Sequence, residues 1–316
     1  MNFQPVDRAP YFEEGIRADV LAAWERQGFC PQEALKDLLP CDRREEVELD
    51  LLPHSKPKCW PRVEEDPQGL ERALAGRASD RLPAGSLPLR QAPQDERAVI
   101  MLRVHRGFFL SMGVDNWQRF KEVMQLLVDR PGLVRRCMSI WSESAAELTD
   151  RALQQVEVDA AIFSEPIGGN QGPLISPRMY ETLVLATYTP LLRVLQRRGV
   201  DTIIFRTYAN ARVLIPKILK WGFNCLWACE VNVTAMDYRS LRRDFGRDLR
   251  LIGGIDLDIL RGDKFEILRE LQEKVPWLLR QGGYVPLADG RVRPEVPFEN
   301  YLYYRRWLAE ILSRGG

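Results

Sequence analysis

Residues 201–229 read DTIIFRTYANARVLIPKILKWGFNCLWAC, and this stretch decides the fold class. A short β-branched apolar run, Asp201–Phe205, gives way to a polar turn and a segment with room for one helix. A second apolar run, Phe223–Cys229, follows. The unit continues downstream, where Leu249–Gly253 and Gly283–Leu287 are again short apolar runs one helix apart. Upstream, Ala98–Val104 and Val158–Ser164 are further candidate strands. Alternation of this kind implies parallel strands joined by helical crossovers. A closed barrel and an open doubly wound sheet both satisfy it. The open sheet of a nucleotide-binding protein wants a GxGxxG loop between strand and helix. Gly168-Gly169 and Gly253-Gly254 lack that spacing. The expected fold is therefore α/β, a (β/α)8 TIM barrel with an irregular, partly helical N-terminal addition.

The helices carry their own signals. Asp115 precedes NWQRFKEVMQLLVDR and suits an N-cap. Ser176-Pro177 pairs a capping hydroxyl with a proline at the first helical position. Pro190 should kink the helix that follows, and Gly199 should end it in the left-handed conformation. A last helix runs from Pro297 to Arg314. The N-terminal third is less regular. Residues 53–62 and 81–97 are rich in proline and polar residues and read as loops, with helical patches at Val20–Gln27 and Gly69–Leu74. The chain divides into an N-terminal segment, 1–97, holding a first strand region and additions packed on the barrel, and the main part of the barrel, 98–316. Together they form one structural domain.

The 316 residues suit one barrel of about 250 residues with additions. Forty-five basic and 44 acidic residues leave a formal charge of +1, which argues against bulk attraction to nucleic acid or an anionic membrane. Arg242-Arg243, set among acids, reads as a solvated helix face. There is no apolar run long enough to span a bilayer and no signal-peptide pattern at MNFQPVDRAP, so a cytoplasmic location is the expectation. Six scattered cysteines without a CxxC pair read as reduced thiols. The chain has only two histidines, His54 and His105.

In a closed barrel the chemistry gathers at the C-terminal ends of the strands. Those ends carry Glu165, Arg206, Glu230, Asp256 and Asp289. Charges at so many ends of apolar runs point to a polar mouth over an apolar core. The alternative is a solvated rim with ion pairs such as Arg206 with Glu165 or Glu230.

Several segments then occur in a familiar order: PVDRAP (5–10), VDAAIFSEPIGGNQGPLISPRMY (158–180), LIPKILKWGFNCLWACE (214–230), LRLIGGID (249–256) and GGYVPLADGRVRPEVPFENYLYY (282–304). Together they resemble the uroporphyrinogen decarboxylase superfamily, which includes the decarboxylase and zinc-dependent methyltransferases that work with methylcorrinoid proteins or thiols. The likeness covers most of 98–312 and leans to the methyltransferase branch. The decarboxylase's arginine-rich N-terminal grip has only Arg8 as a counterpart. Where the resemblance implies a His-x-Cys zinc pair, this chain has Arg206-Thr207-Tyr208, and where it implies Asp-His near the last strand, it has Asp289-Gly290. Arginine is always protonated and is no ordinary zinc ligand. The usual zinc site is thus not expected; a rearranged one would use Cys229 and Glu230. Cys225, four residues before Cys229, lies too far along the strand to share an ion with it.

The leading expectation is a diverged methyltransferase-type enzyme acting on an anionic small molecule or with a corrinoid carried by a partner protein. A metal-independent decarboxylase or lyase using Arg206 and Glu165, and a non-catalytic ligand-binding relative, are the alternatives. Glu165, Arg206, Tyr208 and Asp289 are the candidate catalytic residues. Arg206, Asn210, Glu230, Asp256, Arg291 and His105 are the candidate substrate contacts, with Arg293 beside Arg291. Arg206 suits a carboxylate or phosphate through paired N–H donors. No nucleic-acid or membrane partner is expected; self-association is open.

Overall fold

The computed structural model describes residues 3, 8–29, 40–51, 65–74, 98–229 and 235–314. The proline-rich stretches 53–62 and 81–97 lie outside them, as does Glu230. The chain forms two compact units: Arg44–Asn224, and Met1–Arg43 together with Cys225–Gly316.

The Arg44–Asn224 unit is built on four parallel strands in the order Arg44–Glu48, Val99–His105, Ala160–Ser164 and Ile203–Tyr208. Their apolar runs are not alternating because parallel strands are covered on both faces. Leu102, Ala161, Phe163 and Phe205 share one face and are fully buried. The other face carries charge. The register sets Glu48 beside Arg103 and Ser164 beside Arg206, and the two-residue period adds Glu46 to that face. Glu46 and Arg206 stand on the outer two strands, about 14 Å apart on a flat sheet at ordinary strand spacing. They nevertheless form an ion pair at 2.9 Å, so the ladder curves and its charged face is concave.

Helices of this unit follow the local signals closely. Ser176 accepts a hydrogen bond from the Met179 N–H and opens Pro177–Leu183, as expected. The kink expected at Pro190 is a full interruption: a 3-10 turn, Leu185–Tyr188, separates that helix from Thr189–Arg197. Proline lacks the N–H a continuous helix would need, and the new helix takes it into its first turn. Gly199 follows with φ +72. The cap of Trp117–Asp129 is Asn116 rather than Asp115, its side chain accepting from the Arg119 N–H at 2.9 Å.

The second unit has three parallel strands, Cys225–Cys229, Arg250–Ile255 and Tyr284–Ala288, with helices Ala18–Glu25, Tyr238–Phe245, Lys264–Gln281 and Phe298–Arg314. Gly253-Gly254 is a packing slot for Tyr238: a Cβ at Gly254 would fall 2.4 Å from that ring. The Tyr238 hydroxyl donates to the Ile252 carbonyl at 2.8 Å and accepts from the Ala228 N–H at 3.2 Å. Arg242 is buried, not solvated, and donates to the carbonyls of Gly246, Leu249, Gly282 and Gly283.

The α/β class and parallel strands with helical crossovers hold. A closed eight-stranded barrel is not formed by the described residues, whose parallel strands number seven and do not close into a ring. No helix among those residues is long and apolar enough to cross a membrane.

Candidate functional site

The charged concave face of the Arg44–Asn224 unit centres on Glu46. Its two carboxylate oxygens accept from one Arg206 nitrogen at 2.9 and 3.0 Å. Arg103 donates to the same carboxylate through Nε at 3.0 Å and through a second nitrogen, and it meets Glu48 at 2.9 Å. Burial pushes the Glu46 carboxyl up, but Arg206 and Arg103 outweigh it and hold the group below the usual carboxylate range. Arg206 is therefore paired with Glu46 and not with Glu165. The partner sits in REEVE (44–48), a run with one apolar residue that carries no visible strand signal.

Arg106 follows directly on the strand Val99–His105 and is half-buried. No carboxylate among the described residues lies within ion-pair or hydrogen-bond distance of it. Burial lowers its affinity for its proton, with Glu48 and Asp50 opposing at longer range and Arg103 adding to the effect. It is a cation partly withdrawn from water without a direct counter-ion among the described residues. The sequence reading stopped one residue short, at His105.

His105 turns the other way, into the apolar layer. Its ring lies 4.6 Å from that of Tyr188 and 6.1 Å from that of Phe163. Nδ1 accepts from the Gly107 N–H at 2.9 Å, which assigns the ring proton to Nε2, and Nε2 is buried without a hydrogen-bond partner. Burial, then the Arg106 charge, lowers its pKa to about 3. Its neutral form is the favoured one.

Glu165 is fully buried. Oε1 accepts from the Phe108 N–H at 2.8 Å; Oε2 accepts from the Tyr188 and Tyr180 hydroxyls at 2.6 and 3.1 Å. Burial raises its pKa to about 7, against the pull of these three donors. Its only bond to Arg206 is main-chain, from the Glu165 N–H to the Arg206 carbonyl at 2.7 Å. The structure thus separates two side chains expected to act together: Arg206 faces the concave side and Glu165 the helices.

A family model, Uroporphyrinogen decarboxylase (URO-D), matches residues 112–307, more than half of the chain. The chain belongs to the uroporphyrinogen decarboxylase family. A search of the curated proteins finds no match. The URO-D match includes Glu165, Arg206 and Asp289 but begins after Glu46, Arg103, His105 and Arg106. The most charged part of the concave face is therefore not covered by what the family model recognises.

The other expected site residues of this URO-D chain take more local roles. Tyr208 is exposed at the end of its strand. Asn210 closes a local turn ahead of Arg212–Leu214, its side chain accepting from the Arg212 N–H at 3.2 Å. Between them Ala209 has φ +52, and the backbone of Tyr208 leaves no room for a Cβ on Gly168. The segment replacing His-x-Cys does not fit zinc: Arg206 binds Glu46, Thr207 is buried and Tyr208 faces solvent.

In the second unit, Asp289 is buried and accepts from the Leu257 N–H at 3.0 Å, and Asp256 accepts from the Asp258 N–H at 2.9 Å. Both tie down loops. Arg291 is exposed, and Arg293 reaches Asp258 at 3.3 Å. Cys225 and Cys229 are buried, and burial pushes the Cys225 thiol up to about 12. Among the described residues no three His, Cys, Asp or Glu side chains gather as a metal site. Arg8 forms a two-pronged pair with Asp42, both bonds at 2.7 Å.

Proposed function

We propose that this chain is an enzyme of the uroporphyrinogen decarboxylase family that holds a small carboxylate at the concave face of its Arg44–Asn224 unit, with Arg106 as the anchor. The observation that carries the reading is the half-buried Arg106 guanidinium near the paired Arg103, with no carboxylate partner among the described residues. A guanidinium in such surroundings gains two parallel hydrogen bonds from a planar anion and loses little hydration in doing so. The chemistry that fits is metal-independent loss of carbon dioxide. The bond to the departing carboxylate breaks, its electron pair stays on the substrate beside the arginines, and water supplies the proton. Fixed cations next to developing negative charge lower such a barrier.

The test begins with calorimetric titration of small di- and tricarboxylates against wild type, Arg106→Lys and Arg106→Ala. A loss of at least about tenfold in the alanine variant, partly restored by lysine, supports the anchor. Equal affinity in all three overturns it. Incubation of bound carboxylates then separates the reactions. Carbon dioxide release supports the lyase. Methyl transfer from methylcobalamin, the chemistry the family resemblance favours, replaces it. Tight binding with neither outcome makes the chain a binding protein.

A further inference from the structure

We propose that Glu165 is a positioning residue for anion binding: its carboxylate clamps the turn His105–Phe108 and so places Arg106, and a proton on Glu165 loosens that clamp. The inference rests on Arg106 being the anion anchor.

The turn is held at each residue around Arg106. The Gly107 N–H donates to His105 Nδ1 and the Phe108 N–H to Glu165 Oε1, at 2.9 and 2.8 Å. Gly107 has φ +85, and a Cβ there would lie 2.3 Å from the Ser164 carbonyl oxygen and 2.9 Å from Glu165 Oε1. The loop is thus pressed onto Glu165 without an intervening side chain. On the far side, Tyr180 and Tyr188 donate to Oε2 and fix the carboxylate to two separate helical elements. As a carboxylate, Glu165 accepts all three bonds, and each is charge-assisted. As an acid it must itself donate, so one of the three donors loses its acceptor or reverses, and the bond from Phe108 weakens.

Glu165 is the group in this cluster that titrates near neutrality, since its pKa is raised to about 7. Tyr180 and Tyr188 are pushed well above their ordinary value and stay neutral. His105, lowered to about 3, also stays neutral. Arg106, Arg206 and Arg103 keep their charge, and Glu46 is held ionised. Positioning and simple charge repulsion predict opposite signs. A buried negative charge acting through space would weaken anion binding as pH rises. A clamp that tightens on ionisation strengthens it.

Sulfate is the probe, because it stays a dianion across this range. Its dissociation constant is measured from pH 6 to 8 at fixed ionic strength on the full chain. In wild type, affinity rises by about tenfold. Glu165→Gln gives weak, pH-independent binding, and Tyr188→Phe, with one donor fewer, moves the rise to higher pH. A flat or falling wild-type profile, with binding still lost in Arg106→Ala, overturns the positioning role and leaves the anchor standing. Undiminished binding in Arg106→Ala overturns the anchor and the positioning role with it. Should Glu165→Gln fail to fold, the wild-type and Tyr188→Phe profiles decide.

Discussion

Both units bury arginine, but they use it differently. In the unit of Met1–Arg43 and Cys225–Gly316, Arg305 is 1% exposed and donates to the Phe12 and Pro40 carbonyls at 2.6 and 3.0 Å. It also stacks over Tyr11 at 3.7 Å and approaches Glu13 at 3.6 Å. Arg242 is likewise met by four carbonyls. These guanidiniums are used up in tying chain segments together. In the Arg44–Asn224 unit Arg119 serves the Met112 carbonyl in the same way, but Arg103 and Arg206 stand on a strand face and share one carboxylate, and Arg106 has no direct counter-ion among the described residues. Backbone carbonyls satisfy the guanidiniums of Arg305 and Arg242, whereas the arginines of the strand face depend on side-chain carboxylates.

The contrast breaks if truncating the architectural arginines proves harmless. Arg305→Met should cost the most, about 3 to 5 kcal/mol, because it strands Glu13 and the buried Phe12 carbonyl. Urea denaturation measures this loss, and an unchanged midpoint would reverse the assignment.

Glu165 comes next. Its folded pKa of about 7 lies above the ordinary 4.5. The stability this group contributes is therefore fully present below about 4.5 and is lost as pH rises through 7. The swing is on the order of 3 kcal/mol. Denaturation midpoints from pH 5 to 8 should fall in wild type and lose that component in Glu165→Gln.

Glu46→Gln sharpens the contrast from the other side. Removing the shared carboxylate leaves Arg103 and Arg206 mutually repelled and should cost about 2 kcal/mol. It should also strengthen sulfate binding, since the concave face then carries more uncompensated positive charge. Weaker binding would mean that Glu46 orders the arginines rather than competing with the ligand.

How much of this was legible depends on what kind of residue carried it. Apolar runs bounded by caps were readable: Phe223–Cys229 and Ser176-Pro177 stand where their patterns put them. The strand Arg44–Glu48 was not placed, because its core-facing contribution is Val47 alone and its other positions earn their place by ion pairs with distant strands. For the same reason Arg206 was visible as a charged strand end while its partner was not. Glu165 was recognised as a possible acid, but its separation from Arg206 was hidden. Side-chain direction just past a strand end depends on the turn, and that turn is set by Gly107 and the two tyrosines.

Asp256 tests the limit of reading sites from strand ends. It occupies the same kind of position as Glu165, after the strand Arg250–Ile255, and charge alone does not distinguish them. Their surroundings do. Glu165 is sealed among three donors from separate elements, whereas Asp256 is partly exposed and accepts from the N–H two residues on, a local turn of the kind aspartate forms readily. Asp256→Ala should therefore cost no more than about 1 kcal/mol and leave sulfate affinity and its pH profile unchanged. A loss of anion binding in that variant would mean that Asp256 does more than close its own turn.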